Sequence, residues 1–299
     1  MTPWIEAMRL RTLPVSVAGV LAGTGCAVFH HGFSALPMVI CLVFAVVAQI
    51  ASNFANEYYD FRNGLDRKGR EGYRRGVTEG DIKPESMRRA TYGLLAFDAV
   101  LGCTLIYWGG WWLIAVGVAV ALFAVGYSAG PYPLSHHGLG DIAVVIFFGF
   151  VPVIFTEYVQ TGVAEISTVT FCTSLAIGLM TANVLIVNNY RDADDDRAVG
   201  KRTTVVIFGR RAMAAVYLID GAVGCICLAT ATTWAPFAVA FGWIVVFACH
   251  LMLWQRLRAL KGAALNQILK FTSILVLVSA LYLLAVLSIW PAGAWKEII

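Results

Sequence analysis

Two short stretches of this 299-residue chain carry the same polar pattern. Asn56-Glu57-Tyr58-Tyr59-Asp60 and Asn188-Asn189-Tyr190-Arg191-Asp192 both read Asn-x-Tyr-x-Asp. Residues four apart share a helix face, so Asn56 and Asp60 face together, as do Asn188, Asp192 and Asp196. Gly64 is placed to end the first helix, leaving Asp66 on chain that folds back over it. Asp194 and Asp195 point elsewhere. Each copy offers carboxylates and amide oxygens, a donor set suited to a hard divalent cation, magnesium first. None of the five histidines shows ligand spacing to these positions, as a transition metal would want. The candidate metal ligands are Asn56, Asp60, Asp66, Asn188, Asp192 and Asp196.

Both clusters close apolar helices at their C-termini, where the macrodipole repels a bare anion. A phosphate bridged through divalent metal is held there, and Arg62, Arg67, Lys68, Lys201 and Arg202 follow the carboxylates closely. No Gly-x-x-x-x-Gly-Lys-[Ser/Thr] stretch occurs, which excludes a P-loop nucleotide site. The implied chemistry is metal-bridged diphosphate binding at the mouth of an apolar cavity. A ligand with a diphosphate head and a greasy tail fits both halves.

The elements that position these residues must lie in a membrane. The chain is 59% hydrophobic and 13% charged, with a mean hydropathy of +0.75. A soluble domain carries about 25% charged residues. A soluble enzyme, a disordered chain and a fibrous repeat are excluded. The seven cysteines all lie in apolar stretches and show no Cys-x-x-Cys pairing, so they read as small buried hydrophobes, without a disulfide framework or zinc site.

Spanning stretches of roughly 20 apolar residues fall near 13–30, 36–58, 91–108, 111–128, 142–159, 168–189, 213–232, 234–253 and 270–290. With nine spans, every Lys and Arg, Arg70 among them, falls on one face except Lys296. The positive-inside bias makes that face cytoplasmic, with the N-terminus inside and the C-terminus outside. Trp108, Trp111, Trp112, Trp234 and Trp290 form an aromatic belt at the opposite face. Four spans separate the two motifs, so both enter the cytoplasm in the same direction, the mark of two parallel repeats. The expectation is a single all-α transmembrane domain over 1–299. It has nine helices, built as two four-helix repeats (about 9–130 and about 138–255) around a central cavity. A final helix lies near 270–290, and cytoplasmic loops cap the cavity.

Further motifs strengthen this pattern into a resemblance: Arg9-Leu10-Arg11-Thr12-Leu13-Pro14, Gly138-Leu139-Gly140-Asp141 before Phe147-Phe148-Gly149, and Gly200-Lys201-Arg202-Thr203. With the two aspartate motifs, they resemble, in order and over nearly the whole chain, the UbiA-type intramembrane prenyltransferases. The branch they look like is the one that prenylates 1,4-dihydroxy-2-naphthoate in menaquinone synthesis. Two positions depart from the pattern: Glu57 stands where the family usually has aspartate, and Ser135-His136-His137 where relatives often carry a basic residue.

The resemblance implies a magnesium-dependent enzyme of the bacterial cytoplasmic (inner) membrane. Its substrates would be a polyprenyl diphosphate and 1,4-dihydroxy-2-naphthoate, joined with loss of carbon dioxide to give a demethylmenaquinone. Membrane lipid is its surrounding partner; neither nucleic acid nor a protein partner is implied. Asp60, Asp192, Asp196 and Lys201 are the expected catalytic residues. Asn56, Asn188, Asn189, Arg62, Arg67, Arg191, Arg202, Tyr127 and Asp141 are the expected substrate-binding ones.

Alternatives stand beside these assignments. Asp141 also fits a helix cap, Tyr127 an interfacial tyrosine, and Arg9 and Arg11 either an acceptor-carboxylate contact or a mark of the inside face. Asp98 and Asp220 lie within spans and have no repeat partner. The sequence shows no clear His–carboxylate base pair at the cytoplasmic mouth, which agrees with a decarboxylating route that removes no ring proton. The runner-up acceptor is 4-hydroxybenzoate, whose prenylation must remove one. A transporter would place paired acids in mid-span, and a non-catalytic lipid-binding protein would have no use for duplicated acidic motifs.

Overall fold

The computed structural model describes residues 2–69 and 72–292; Arg70 and Lys296 lie outside them. No strand occurs among the described residues. The first half comprises α1 (Pro3–Ala7), α2 (Leu13–Phe29), α3 (Ala35–Arg62), α4 (Gly76–Glu79), α5 (Pro84–Thr104), α6 (Ile106–Gly109) and α7 (Leu113–Gly126). The second comprises α8 (Gly140–Val144), a π-helical segment (Val145–Phe150), α9 (Val151–Thr161), α10 (Thr168–Ala198), α11 (Thr204–Thr230), α12 (Phe237–Ala259) and α13 (Leu265–Ile289). Among the described residues seven helices are long and apolar enough to cross a membrane. The 17-residue α2 and the 14-residue α7 are shorter apolar helices and complete the nine expected spans.

Three helices reach furthest beyond the apolar stretches that reveal them. α5 starts at Pro84 because its first turns, with Glu85, Arg88 and Arg89, are helical but polar. α10 runs on to Ala198 through the second motif. α11 starts at Thr204, where Thr203 Oγ1 accepts from the Val206 amide at 3.4 Å, and breaks at Gly209 (φ 83°, ψ 157°).

Both motif helices stop in the same way. At the end of α3, Gly64 turns left-handed (φ 69°) and the Leu65 amide donates to the Asp60 carbonyl at 2.8 Å. At the end of α10, Gly200 does the same (φ 76°), with Lys201 N donating to Asp196 O at 2.9 Å. This six-to-one closure satisfies a last-turn carbonyl and needs a residue free of Cβ strain. The second helix therefore runs one turn further past its motif, and Asp196 sits on the added turn.

The two halves are packed differently. α10 is the central rod, with 72% of its most apolar stretch buried, against 17% for α3 and 11% for α5. The main apolar core joins α2 to α10, α11, α12 and α13. Gly149 allows close approach here: a Cβ on it would lie 2.4 Å from the Ser174 carbonyl and 2.6 Å from Gly178 Cα. Small residues let backbones meet in this way. The space left open lies on the other side of the bundle, among α2, α3, α5 and α7 of the first half and the π segment with α9 of the second.

One end of the bundle gathers the motifs. Arg67 reaches Asp195, Lys201 reaches Asp60, the Arg202 amide donates to His136 O, and Tyr73 Oη donates to Asn266 O. The other end is tied by His31 to Ala292 O, Ser34 N to Gln160 and Trp112 to Tyr158. The basic segments thus share one end, as the nine-span partition requires.

Candidate active site

Asn56, on the last turns of α3, is a four-way junction. Its Oδ1 accepts from Arg9 Nη2 and, at 3.0 Å, from Arg75 Nη2. Its Nδ2 donates to Asp60 Oδ2 at 3.1 Å and to Ser128 Oγ at 2.9 Å. A primary amide has two donors and two acceptor lone pairs, and all four are used. Arg9 is presented by a turn in which its own backbone is left-handed (φ 52°), a conformation that bulky residues adopt only where surroundings impose it.

Asp60 is almost wholly buried, its side chain 2% exposed, yet four basic residues gather around it, two in contact and two beyond Asn56. Lys201 Nζ lies 3.4 Å from Oδ2 and His136 Nε2 3.6 Å from Oδ1, while Arg9 and Arg75 stand beyond Asn56. Asp66 folds back as expected and pairs with Arg75 Nε at 3.4 Å. Glu57 turns away from this group: its Oε1 accepts from Val77 N at 3.0 Å and holds α4 against the end of α3. That contact explains a glutamate here, since the carboxylate must reach across to the loop.

The α10 copy is organised by Arg191. Its Nε and Nη2 clamp Asp192 at 2.7 and 2.8 Å, Nη2 also reaches Asn188 Oδ1 at 2.8 Å, and Nη1 reaches Asn266 Oδ1 at 2.7 Å. Two-pronged guanidinium–carboxylate pairs are strong and directional. Arg191 and Arg11 stand 5.0 and 4.8 Å from the Tyr73 ring centroid, a double cation–π contact that pins Tyr73 to α10. The basic residues cross between copies: Lys201, following the second motif, serves Asp60, while Arg67, following the first, pairs with Asp195 at 2.7 Å.

These groups border a polar mouth lined by Asn56, Asn188, Asn189, Asp192, Asp196 and Lys201, with Arg9, Arg75 and Tyr127 on its walls. Below it runs an apolar tunnel between α3, α5, α7 and α9. Gln49, Ser52, Phe123 and Phe148 border both, so mouth and tunnel are continuous. The π segment carries Phe147 and Phe148 into this junction, where Phe147 stacks on Phe123 with centroids 4.1 Å apart.

Of the residues expected at the site, Arg62 and Arg202 are exposed outside the mouth, and Arg67 is engaged with Asp195. Asp141 accepts from Thr204 Oγ1 at 2.7 Å, tying α8 to α11. Sequence reasoning missed Arg75 and His136, and it left Arg9 between two roles. No spacing marks Arg75 or His136, because loops bring them in. The His136–Asp60 contact is a His–carboxylate pair at the mouth, which the sequence did not reveal.

The donor set is all oxygen and fits magnesium. Among the described residues no three His, Cys, Asp or Glu side chains converge as a ready-made cage; lysine and arginine cations stand against the carboxylates instead.

The model of the UbiA prenyltransferase family matches residues 16–277. The 1,4-dihydroxy-2-naphthoate octaprenyltransferase of Escherichia coli (strain K12) is 34% identical, across 97% of this chain and 96% of that one. The protein of the same name from Mycobacterium tuberculosis (strain ATCC 25618 / H37Rv) is 35% identical across 69% and 70%. Among solved structures, a UbiA homolog from Archaeoglobus fulgidus bound to DMAPP and Mg2+ superposes with a TM-score of 0.64 at 17% identity, covering 94% of this chain and 99% of that one. The apo UbiA homolog from Aeropyrum pernix K1 gives 0.67 at 16% identity, covering 92% and 97%.

Proposed function

The chain belongs to the UbiA prenyltransferase family, and from that premise we propose that it joins a polyprenyl group to 1,4-dihydroxy-2-naphthoate with loss of carbon dioxide. It is a multi-pass membrane enzyme and an aromatic prenyltransferase. The observation that carries the proposal is the direct opening of a mouth bearing both aspartate motifs into an apolar tunnel. A polyprenyl diphosphate lies across that junction, head at the mouth and tail in the tunnel. The naphthoate acceptor is supported by the names of the relatives. Our reading puts the mouth on the cytoplasmic side of the inner membrane, and the partition of basic residues supports it.

Asn56, Asp60, Asp66, Asn188, Asp192 and Asp196 would hold magnesium, which would supply charge neutralisation for the diphosphate. Lys201, Arg75 and Arg9 add positive charge where the departing diphosphate gathers negative charge, which favours the transition state over the ground state. The allylic carbon–oxygen bond breaks with its electron pair on the diphosphate. The ring carbon bearing the carboxylate supplies the pair for the new carbon–carbon bond, and the carboxylate's bonding pair restores the ring as carbon dioxide leaves. Phe123, Phe147 and Phe148 keep water from the cation, and their ring faces suit its charge.

One observation favours 4-hydroxybenzoate as a second reading: His136 beside Asp60 is placed as a base for the ring proton that route must lose. The two acceptors are separated by product mass from purified enzyme, one prenyl donor and magnesium. The proposal expects a decarboxylated prenyl naphthoquinol. A preference for 4-hydroxybenzoate, or a product retaining the naphthoate carboxylate, overturns it.

A further inference from the structure

Asp98 is the one acidic or basic side chain among the described residues that border the tunnel. It lies on α5, 4% exposed, and its Oδ1 has no hydrogen-bond partner. Gln49, on the facing wall of α3, donates through Nε2 to Asn53 Oδ1 at 3.2 Å and leaves Oε1 without a partner. A Cβ on Gly102 would lie 3.1 Å from the Phe44 ring, so Asp98, one turn nearer the mouth on α5, stands level with the neighbourhood of Ala48 and Gln49. At about 1.5 Å per residue this level is about 16 Å below Asp60. The tail of a prenyl donor runs past it and, being hydrocarbon, satisfies neither oxygen. A buried polar atom left without a partner is costly.

We propose that Asp98 and Gln49 form a second binding site in the tunnel, for the ring of the prenylated quinol product; this rests on the naphthoate reaction proposed above. A ring hydroxyl both donates and accepts, so it satisfies either oxygen whether or not the carboxyl holds a proton. Phe44, Phe147 and Phe148 border the same space and suit a flat ring. The unreacted acceptor is kept out, because its carboxylate would be buried beside Asp98 with no cation on the tunnel wall. The decarboxylated product carries no such charge. It follows its own tail into the tunnel, towards the lipid-facing surfaces of α5 and α7, where Val100, Val118 and Leu122 are exposed. While the ring rests there, a new donor tail cannot enter, and product release competes with donor binding.

The test uses full-length enzyme in nanodiscs with magnesium. The probes are 2-farnesyl-1,4-dihydroxynaphthalene, kept reduced, and its dimethyl ether, which has the same shape but no hydroxyl. Inhibition is measured against farnesyl diphosphate, and binding is read separately by calorimetry without donor. The quinol should compete with the donor and bind at least about tenfold more tightly than the ether. Asp98→Leu should erase that difference and leave the ether's affinity within about twofold. Equal binding of quinol and ether to the unaltered enzyme overturns the proposal without any variant, as does a difference that survives in Asp98→Leu. Failure of naphthoate turnover alongside an intact quinol–ether difference would defeat the acceptor assignment and leave this site standing.

Discussion

Arg191 shows how one residue sets the geometry of the second motif. Its guanidinium holds Asp192, Asn188 and Asn266 together, and both members of the Arg191–Asp192 pair have side chains 2% exposed. Removing one partner of a buried pair strands the other, at about 3–5 kcal/mol. Arg191→Ala should therefore lower thermal stability in detergent by that order, measured by unfolding of purified protein, whereas Arg202→Ala, on the exposed rim, should leave it unchanged. The aspartates and asparagines were legible in the sequence because they repeat at fixed spacing. Arg75 and His136 were not, since their places depend on how the 72–83 and 134–140 segments fold over the mouth. Arg9 was visible only as a basic residue; its reach to Asn56 depends on a left-handed turn that no motif announces.

At the level of elements, hydropathy found each spanning stretch but not the polar turns that extend α5, α10 and α11. The α10 extension carries Asp192 and Asp196 of the site, because a helix that leaves the apolar core loses its hydropathy signal where its function begins. The π segment was equally hidden: 142–159 reads as an ordinary apolar span, yet six residues of it, Val145–Phe150, are π-helical and direct Phe147 and Phe148 to the junction of mouth and tunnel. Gly149 makes this possible through its approach to Ser174 O and Gly178. Gly149→Ala should force the segment away from α10, at the roughly 1–3 kcal/mol typical of overpacking. The expected signs are a lower melting temperature and weaker donor binding. A melting temperature and donor affinity equal to those of the unaltered enzyme would show that the close approach is dispensable.

For the whole molecule, the gathering of basic segments at one end fixes which loops lie on the same side of the membrane. A cysteine replacing Arg202 should react with a membrane-impermeant reagent only from the cytoplasmic side, and one replacing Gly162 only from the other. Labelling of both from one side would break the nine-span topology. That expectation could be drawn from the sequence because Lys and Arg are kept out of the spans and concentrated in alternate loops. The packing asymmetry could not: nothing in composition says that α10 is central or that the tunnel lies among α3, α5, α7 and α9. Its consequence is the central claim, that both aspartate motifs act on one diphosphate although they end two separate helices. The most direct measurement is magnesium-dependent prenyl transfer by Asp60→Asn and Asp192→Asn, each purified and shown to be folded. Each single change should reduce turnover by about a hundredfold or more at saturating magnesium, since each removes charge from a shared site. Turnover near that of the unaltered enzyme in either variant would contradict a site built jointly by the two motifs.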